Sequence, residues 1–541
     1  MNRTAYAGIL AFVFLAFAFL TGCSSNSYSP PAGTNTYVFY LSGQETLQDG
    51  PNFYTVAGAV NIDSNGNVVT GEQDYNDGFA VTATDKISAG KAALAIDSST
   101  GQGTLTLTTS DPDVGVNGVE TLGVQFVNAN HALIVQFDGS ATSAGSLDLQ
   151  TSLSSKGNFA FTMSGVDTDY DPIAFGGVIL VNNGAITGTF DVNDDGDVAT
   201  GQTLTAGIVS ETDTYGRGTV TGTQIAGTLA YYVVGPEVVR FIGADTDAAG
   251  VGSAYGQGTG TFTNASLLPS VFALAANPWS SEVGMVGQFA TSGTGSDPAD
   301  FAGVGEDNEL GNGVWSGLAA TFAGTYSLQS SEINGYGYLS VNEGFGDVAT
   351  LGVYMTDPAL NLNDPNNTKG GGGALVLDLD DSLAGTTGVL IPQTDTATAD
   401  FAGNYAVGFQ DFNFFSECGL CEFDMVAQGS VVANGAVSFT GEVSDPFLTL
   451  GIDGGNGLYT GSTFTGTPLA DSTNVGRYSM LTANENPLEA TIDGASGFFE
   501  LTIYQASAGQ LFWLNVVGSD ESDGTVFVGP LEQQGTLTGI P

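Results

Sequence analysis

Four times between Tyr37 and the C-terminus the chain runs through the same order of short segments, and this repetition limits the possible folds more than any other feature. The clearest copy opens on an alternating run at residues 37–43, continues through 53–62, and stops at the turn Asp63-Ser-Asn-Gly-Asn67. An acidic stretch at 71–78 follows, then a hairpin pattern over 94–108 and two closing runs at 131–138 and 145–150. Each copy ends on a glycine followed a few residues later by a glutamine, at Gln150, Gln257, Gln393 and Gln533. Repeats this long suit tandem domains, because solenoid repeats are far shorter. The expected domains are residues 37–155, 156–269, 270–400 and 401–541.

Within a copy the hydrophobic period is two: Leu105 and Leu107 alternate with Thr104, Thr106 and Thr108. The Gly, Asn and Asp turns are too short for parallel crossovers, so neighbouring strands should run antiparallel. The expected fold is all-β, with four tandem up-and-down barrel-like domains of about eight strands each and β-sandwiches as the alternative. Outer-membrane strands are a poor match, since they need about 9–11 residues with an apolar lipid-facing side.

The chain carries 57 acidic and 8 basic residues, for a net charge of −49. That balance repels phosphate backbones and anionic headgroups, and no Lys/Arg cluster exists to track nucleic acid. Acidic loop tips instead keep an otherwise apolar surface soluble.

The N-terminus reads as an export signal: Arg3 gives a basic start, residues 5–20 form an apolar signal helix, and Leu20-Thr-Gly-Cys23 follows. This tetrad resembles the bacterial lipobox. The resemblance implies removal of residues 1–22, diacylation of Cys23 with palmitate-like chains, and a membrane anchor made of lipid. Residues 23–36 then form the lipidated end and a flexible stalk, and Ser24 resembles the sorting position of lipoproteins sent to the outer membrane. The whole mature chain resembles bacterial surface lipoproteins built from tandem β domains, a family that implies an address in the cell envelope and no activity.

Few residues suggest chemistry. Cys418 and Cys421 are close enough, in an exported chain, to form a loop-stapling disulfide. Asp191, Asn193 and Asp195 alternate like the first half of a calcium loop, although Gln202 stands where the bidentate glutamate belongs. The sole histidine, His131, begins an apolar strand and reads as a strand-end residue; Trp279, Trp315 and Trp513 occupy different places in their copies and read as core. No catalytic residues and no cofactor beyond calcium are expected. These features point to a monomeric, non-enzymatic surface lipoprotein, an acidic rod for adhesion or envelope architecture that meets a surface protein or glycan. Capture of a small ligand or glycan by a barrel is the alternative, and an envelope glycoside hydrolase comes third.

Overall fold

The computed structural model describes residues 30–541 except 48–49, 224, 226, 277–282, 294–295, 310–317, 330–334, 344–349, 368–370, 381–384, 398–399, 414–420, 433–435, 445, 447–457, 482–499, 508 and 516–524. The leader with Cys23, and Cys418, Trp279 and Trp315, lie outside the described residues.

The chain is all-β, and its described residues hold one short 3-10 turn, Asn264–Ser266. Its strands form four antiparallel sheets in chain order, here units 1 to 4. Units 2 and 3 are closed eight-stranded barrels; units 1 and 4 are nine-stranded sheets of the same meandering order. In each unit the first strand pairs with the second and also with the last. Those first and last strands are Thr34–Leu47 with Ala141–Leu149, Gly157–Asp167 with Ala248–Gly256, Ser270–Ala275 with Thr387–Pro392, and Gly403–Asn413 with Thr525–Gln533. The rim of unit 1 is drawn together by the isolated bridge Ser88↔Thr108.

Period-two patterning sets which side chains enter each barrel. Along Gln102–Thr108 the leucines Leu105 and Leu107 are buried and the threonines between them are not. The seventh or eighth strand of each unit departs from that rule. His131–Gln136, Val238–Gly243 and Ala374–Asp378 are buried at every position, one face inside the barrel and the other against neighbouring units. Their sequences are accordingly unbroken apolar runs. Each unit has its own aromatic-rich interior, and a further cluster, with Val38, Tyr232, Val271, Tyr354 and Tyr504 among its members, draws on all four.

That shared cluster corrects the expectation of a rod. Unit 1 packs on unit 2, 2 on 3 and 3 on 4, and unit 4 returns to unit 1, closing a ring. At the returning joint Thr142 donates a 2.6 Å hydrogen bond to Asp424, and Val127, Leu133 and Val135 pack on Ala406 and Val426. The C-terminal tail continues past the last strand and lays Leu537 and Ile540 on the core of unit 1. One end of the ring axis is crossed by residues 357–367 of unit 3. Asn128 and Asn366 tie this crossing to unit 1, Tyr255 to unit 2 and Gln510 to unit 4.

A closed ring is far more compact than a string of beads. Small-angle scattering should give a radius of gyration near the ~24 Å expected for a compact chain of this length; a profile of four beads in a line would contradict the ring.

Candidate functional site

The joints between units repeat one construction. The glutamine that ends each unit reaches into the next and donates to backbone carbonyls there. Gln150 Nε2 meets Tyr215 O at 2.8 Å and Val233 O at 2.6 Å, Gln257 meets Met355 O at 3.0 Å, and Gln393 meets Gln505 O at 2.9 Å. At the fourth joint the donor is Gln534, not Gln533, bonding Thr100 O at 2.8 Å and Phe126 O at 2.9 Å. Gln533 instead donates within its own unit, to Ala402. Each arriving chain end lands beside a glycine with positive φ: Gly216 at +77°, Gly335 at +88°, Gly476 at +95° and Gly101 at +75°. A Cβ would come within 2.5 Å of the amide nitrogen at Gly216, 2.6 Å at Gly335 and 2.9 Å at Gly476, so these positions need glycine for space as well as for φ.

A buried acid supplies the second element of a joint. The acidic stretch of each copy becomes a strand that carries an acid and, two residues on, an amide or hydroxyl: Asp74 and Asn76, Asp191 and Asn193, Glu306 and Asn308, Glu442 and Ser444. Period two turns both side chains to the same face, toward the next unit. Asp74 takes a bidentate pair from Arg217 Nε and Nη2, both 2.7 Å, and a 2.6 Å bond from Tyr232. Glu306 likewise takes Arg477 Nε at 2.7 Å and Tyr504 at 2.6 Å. At the joint between units 2 and 3 tyrosines replace arginine: Tyr354 donates to Asp191 at 2.7 Å and Tyr338 at 3.0 Å. Tyr232, Tyr354 and Tyr504 correspond strand for strand, paired with Arg217, Tyr336 and Arg477; the second donor to Asp191 is not Tyr336 but Tyr338, two residues further along the same strand. Unit 1 has Gln102 opposite Gln125 there, so Glu442 meets no cation among the described residues, and burial raises its pKa to about 7.

This geometry also accounts for the expected calcium ligands. Asp191 is spent on the two tyrosines and the Gly201 N–H, and Asn193 donates to Asp378 O and Asp380 O of unit 3 while accepting from Gly196. Asp195 sits exposed in the following turn at φ +45°. Among the described residues no group of three or more His, Cys, Asp or Glu is placed to hold a metal. Cys421 opens the strand Cys421–Val431. Trp513 lies in the core of unit 4, its indole N–H donating to Gly408 O.

Where the four units meet there is a chamber of about 360 Å³ with a mixed polar and apolar wall, lined from unit 1 by Tyr40 and His131, from unit 2 by Arg240 and Tyr255, from unit 3 by Leu362 and from unit 4 by Glu532. His131, read from the sequence as a strand end, is fully buried here. Its Nδ1 lies 2.7 Å from Asp148, and its Nε2 is 3.4 Å from Glu532. Asp148 also accepts from Arg240 at 2.8 Å, while Arg240 donates to Ser253 and Tyr255 and rests on the Tyr40 ring. Burial disfavours the imidazolium, but the charge of Glu532 and the bond to Asp148 outweigh it and hold the His131 pKa well above its ordinary value. Burial also works against ionised Asp148, yet Arg240 and His131 bring its pKa down to about 2. The His–Asp pair has the spacing of a general base and its orienting partner, but Glu532 occupies the side of the ring where a nucleophile would stand.

No family model and no curated protein matches the chain. Among solved structures it is similar to a double mutant of Transferrin Binding Protein B from Haemophilus parasuis, at 10% identity over 91% of this chain and 94% of that one, with a TM-score of 0.24. A single mutant of the same protein matches at 10% identity over 94% and 97%, also at 0.24. The ferric citrate transporter FecA matches at 10% over 93% and 79%, with a TM-score of 0.11. Likeness this slight carries no functional argument.

The residues that sequence reading missed are Arg217, Arg240 and Arg477, with their acids. The signal was present: every arginine beyond Arg3 lies in a strand of an otherwise cation-poor chain, and two of them directly follow glycine.

Two outcomes follow from these pairs. Arg477→Met leaves Glu306 buried without its cation and should cost about 3–5 kcal/mol in urea unfolding, with Glu306→Met on top of it recovering part of the loss. The pH profile combines groups shifted upward, Glu120, Asp378 and His131, with Asp148, which is shifted downward. Burial raises Glu120 and Asp378 from 4.5 and 3.8 to about 8, so they cost stability increasingly as pH climbs from their unfolded values toward 8. The raised pKa of His131 gives stability that is complete below about 6.5 and is lost at alkaline pH. Asp148 contributes above 3.8 and loses its contribution as pH falls toward 2. The melting midpoint should therefore peak near pH 4–5 and be lower at pH 8, as differential scanning calorimetry can establish.

Proposed function

We propose that this chain is a lipid-anchored, non-enzymatic protein of the cell envelope, whose ring of barrels is a rigid acidic scaffold for contacts with surface proteins or glycans. The observation that supports it most is where the buried ionic chemistry sits: each described arginine and the histidine hold units together, at a joint or on the axis. The lipobox-like Leu20-Thr-Gly-Cys23 supplies the anchor, Cys23 carries the lipid, and the stalk that spaces the ring from the outer membrane is shorter than the expected 23–36, because Thr34–Thr36 already belong to the first strand. Cys418 and Cys421 staple a loop of unit 4 as a disulfide.

The test separates scaffold from enzyme. Mass spectrometry of the mature protein should find acyl chains on Cys23, and Cys23→Ala should release the protein from the membrane fraction and abolish adhesion of cells that depend on it. His131→Asn, shown to be folded by its melting curve, should leave adhesion intact. Loss of function in a folded His131→Asn protein would mean that the axial chamber performs chemistry, and the scaffold reading would fail.

A further inference from the structure

The four units are built on one plan but their interiors are not equally full. Unit 2 holds an apolar cavity of about 90 Å³, whereas the corresponding space in unit 3 is about 20 Å³. A single position on the closing strand explains much of the difference. Three residues before each joint glutamine the side chain points into the barrel, opposite Phe39, Phe161, Phe272 or Val407 of the first strand. In units 1, 3 and 4 this residue is Leu147, Leu390 or Leu531, each buried in its barrel core; in unit 2 it is Ala254. The neighbouring Val239, where units 1 and 3 have Ala132 and Ala374, takes back only part of the volume.

The cavity wall is aromatic and aliphatic, with Phe159, Phe161, Ile186, Leu204, Tyr231 and Phe241 among its residues. None of the described lining residues carries a charge, and of the polar side chains besides Ser155, Tyr231 donates to Ser210 O at 2.8 Å and Thr223 to Ile225 O at 2.7 Å. Nothing here would repay the desolvation of an ion or a sugar hydroxyl. Apolar cavities on the order of 100 Å³ stay dry and accept benzene or xenon. The barrel's shortest seam borders the cavity as well. Leu204, Val209 and Val220 line the cavity where Asp197–Val209 meets Arg217–Thr221, and that ladder has only two residue pairs, Ile208↔Thr221 and Val209↔Val220. Every other seam of this barrel is longer.

We propose that unit 2 is a binding site for a small uncharged hydrocarbon-like molecule, admitted at the short seam and held in the space that a leucine fills in the other three units. The proposal is independent of the scaffold reading, since none of the joint glutamines, arginines or acids lines the cavity.

Benzene is the probe, and titration calorimetry on the full chain reconstituted in nanodiscs is the measurement, with Ala254→Leu in the same nanodiscs as the matched control so that partitioning into lipid cancels. The wild type should show one saturable site and a higher melting midpoint in benzene. Ala254→Leu should melt no lower than wild type without ligand and lose affinity at least about tenfold. If leucine at 254 prevents folding, Ala254→Val gives the same comparison with a smaller filling group. Absence of saturable binding in the wild type, or unchanged affinity in a folded filled variant, would overturn the proposal.

Discussion

The ring depends on a glutamine amide donated from the end of one unit into the backbone of the next. Gln150, Gln257, Gln393 and Gln534 each donate to backbone carbonyls of the next unit, tying the end of one barrel to the main chain of another. The bond is short because the receiving turn has a glycine in left-handed conformation and therefore no Cβ in the way. Three of these bonds follow a covalent connection, so proximity alone could be thought to explain them. The fourth does not: Gln534 closes the ring between chain segments more than 400 positions apart, using the same acceptor geometry. The construction is thus a property of the surfaces and not of the linkers.

Charge plays the complementary part. A molecule with a net charge of −49 works against its own compaction, and its three described arginines, Arg217, Arg240 and Arg477, are placed where the units touch. Buried ion pairs of this kind contribute little net stability compared with apolar packing, because desolvation offsets the attraction. Their effect is on geometry. Asp74 accepts a planar guanidinium and a tyrosine hydroxyl in fixed directions, so unit 2 can seat on unit 1 in one register only. Around the axis, Arg240 and His131 neutralise Asp148 and Glu532, which closes the shared interior without leaving an unpaired charge.

Deviations from fourfold equivalence are informative because the other units serve as internal references. Tyrosines stand in for arginine at the joint between units 2 and 3, and at the returning joint Glu442 meets no cation among the described residues. Unit 2 alone replaces a core leucine with Ala254, and its interior holds a cavity larger than that of unit 3.

What the amino-acid order settled by itself was local: strand periodicity, turn positions, the antiparallel meander and the fourfold repetition, all of which depend on neighbours a few residues apart. Leu105 and Leu107 face inward because of a two-residue period that any reader of the sequence can count. The partners of Asp191, Asn193 and His131 could not be counted in this way. Their spacing was compatible with a calcium loop and with a strand end, and their actual contacts lie with Tyr354, with Asp380 and with Glu532, 163, 187 and 401 positions away. Only the closing of the ring brings those groups within reach, since which acid meets which cation is decided by how barrel surfaces seat on one another, and no local pattern encodes that distance.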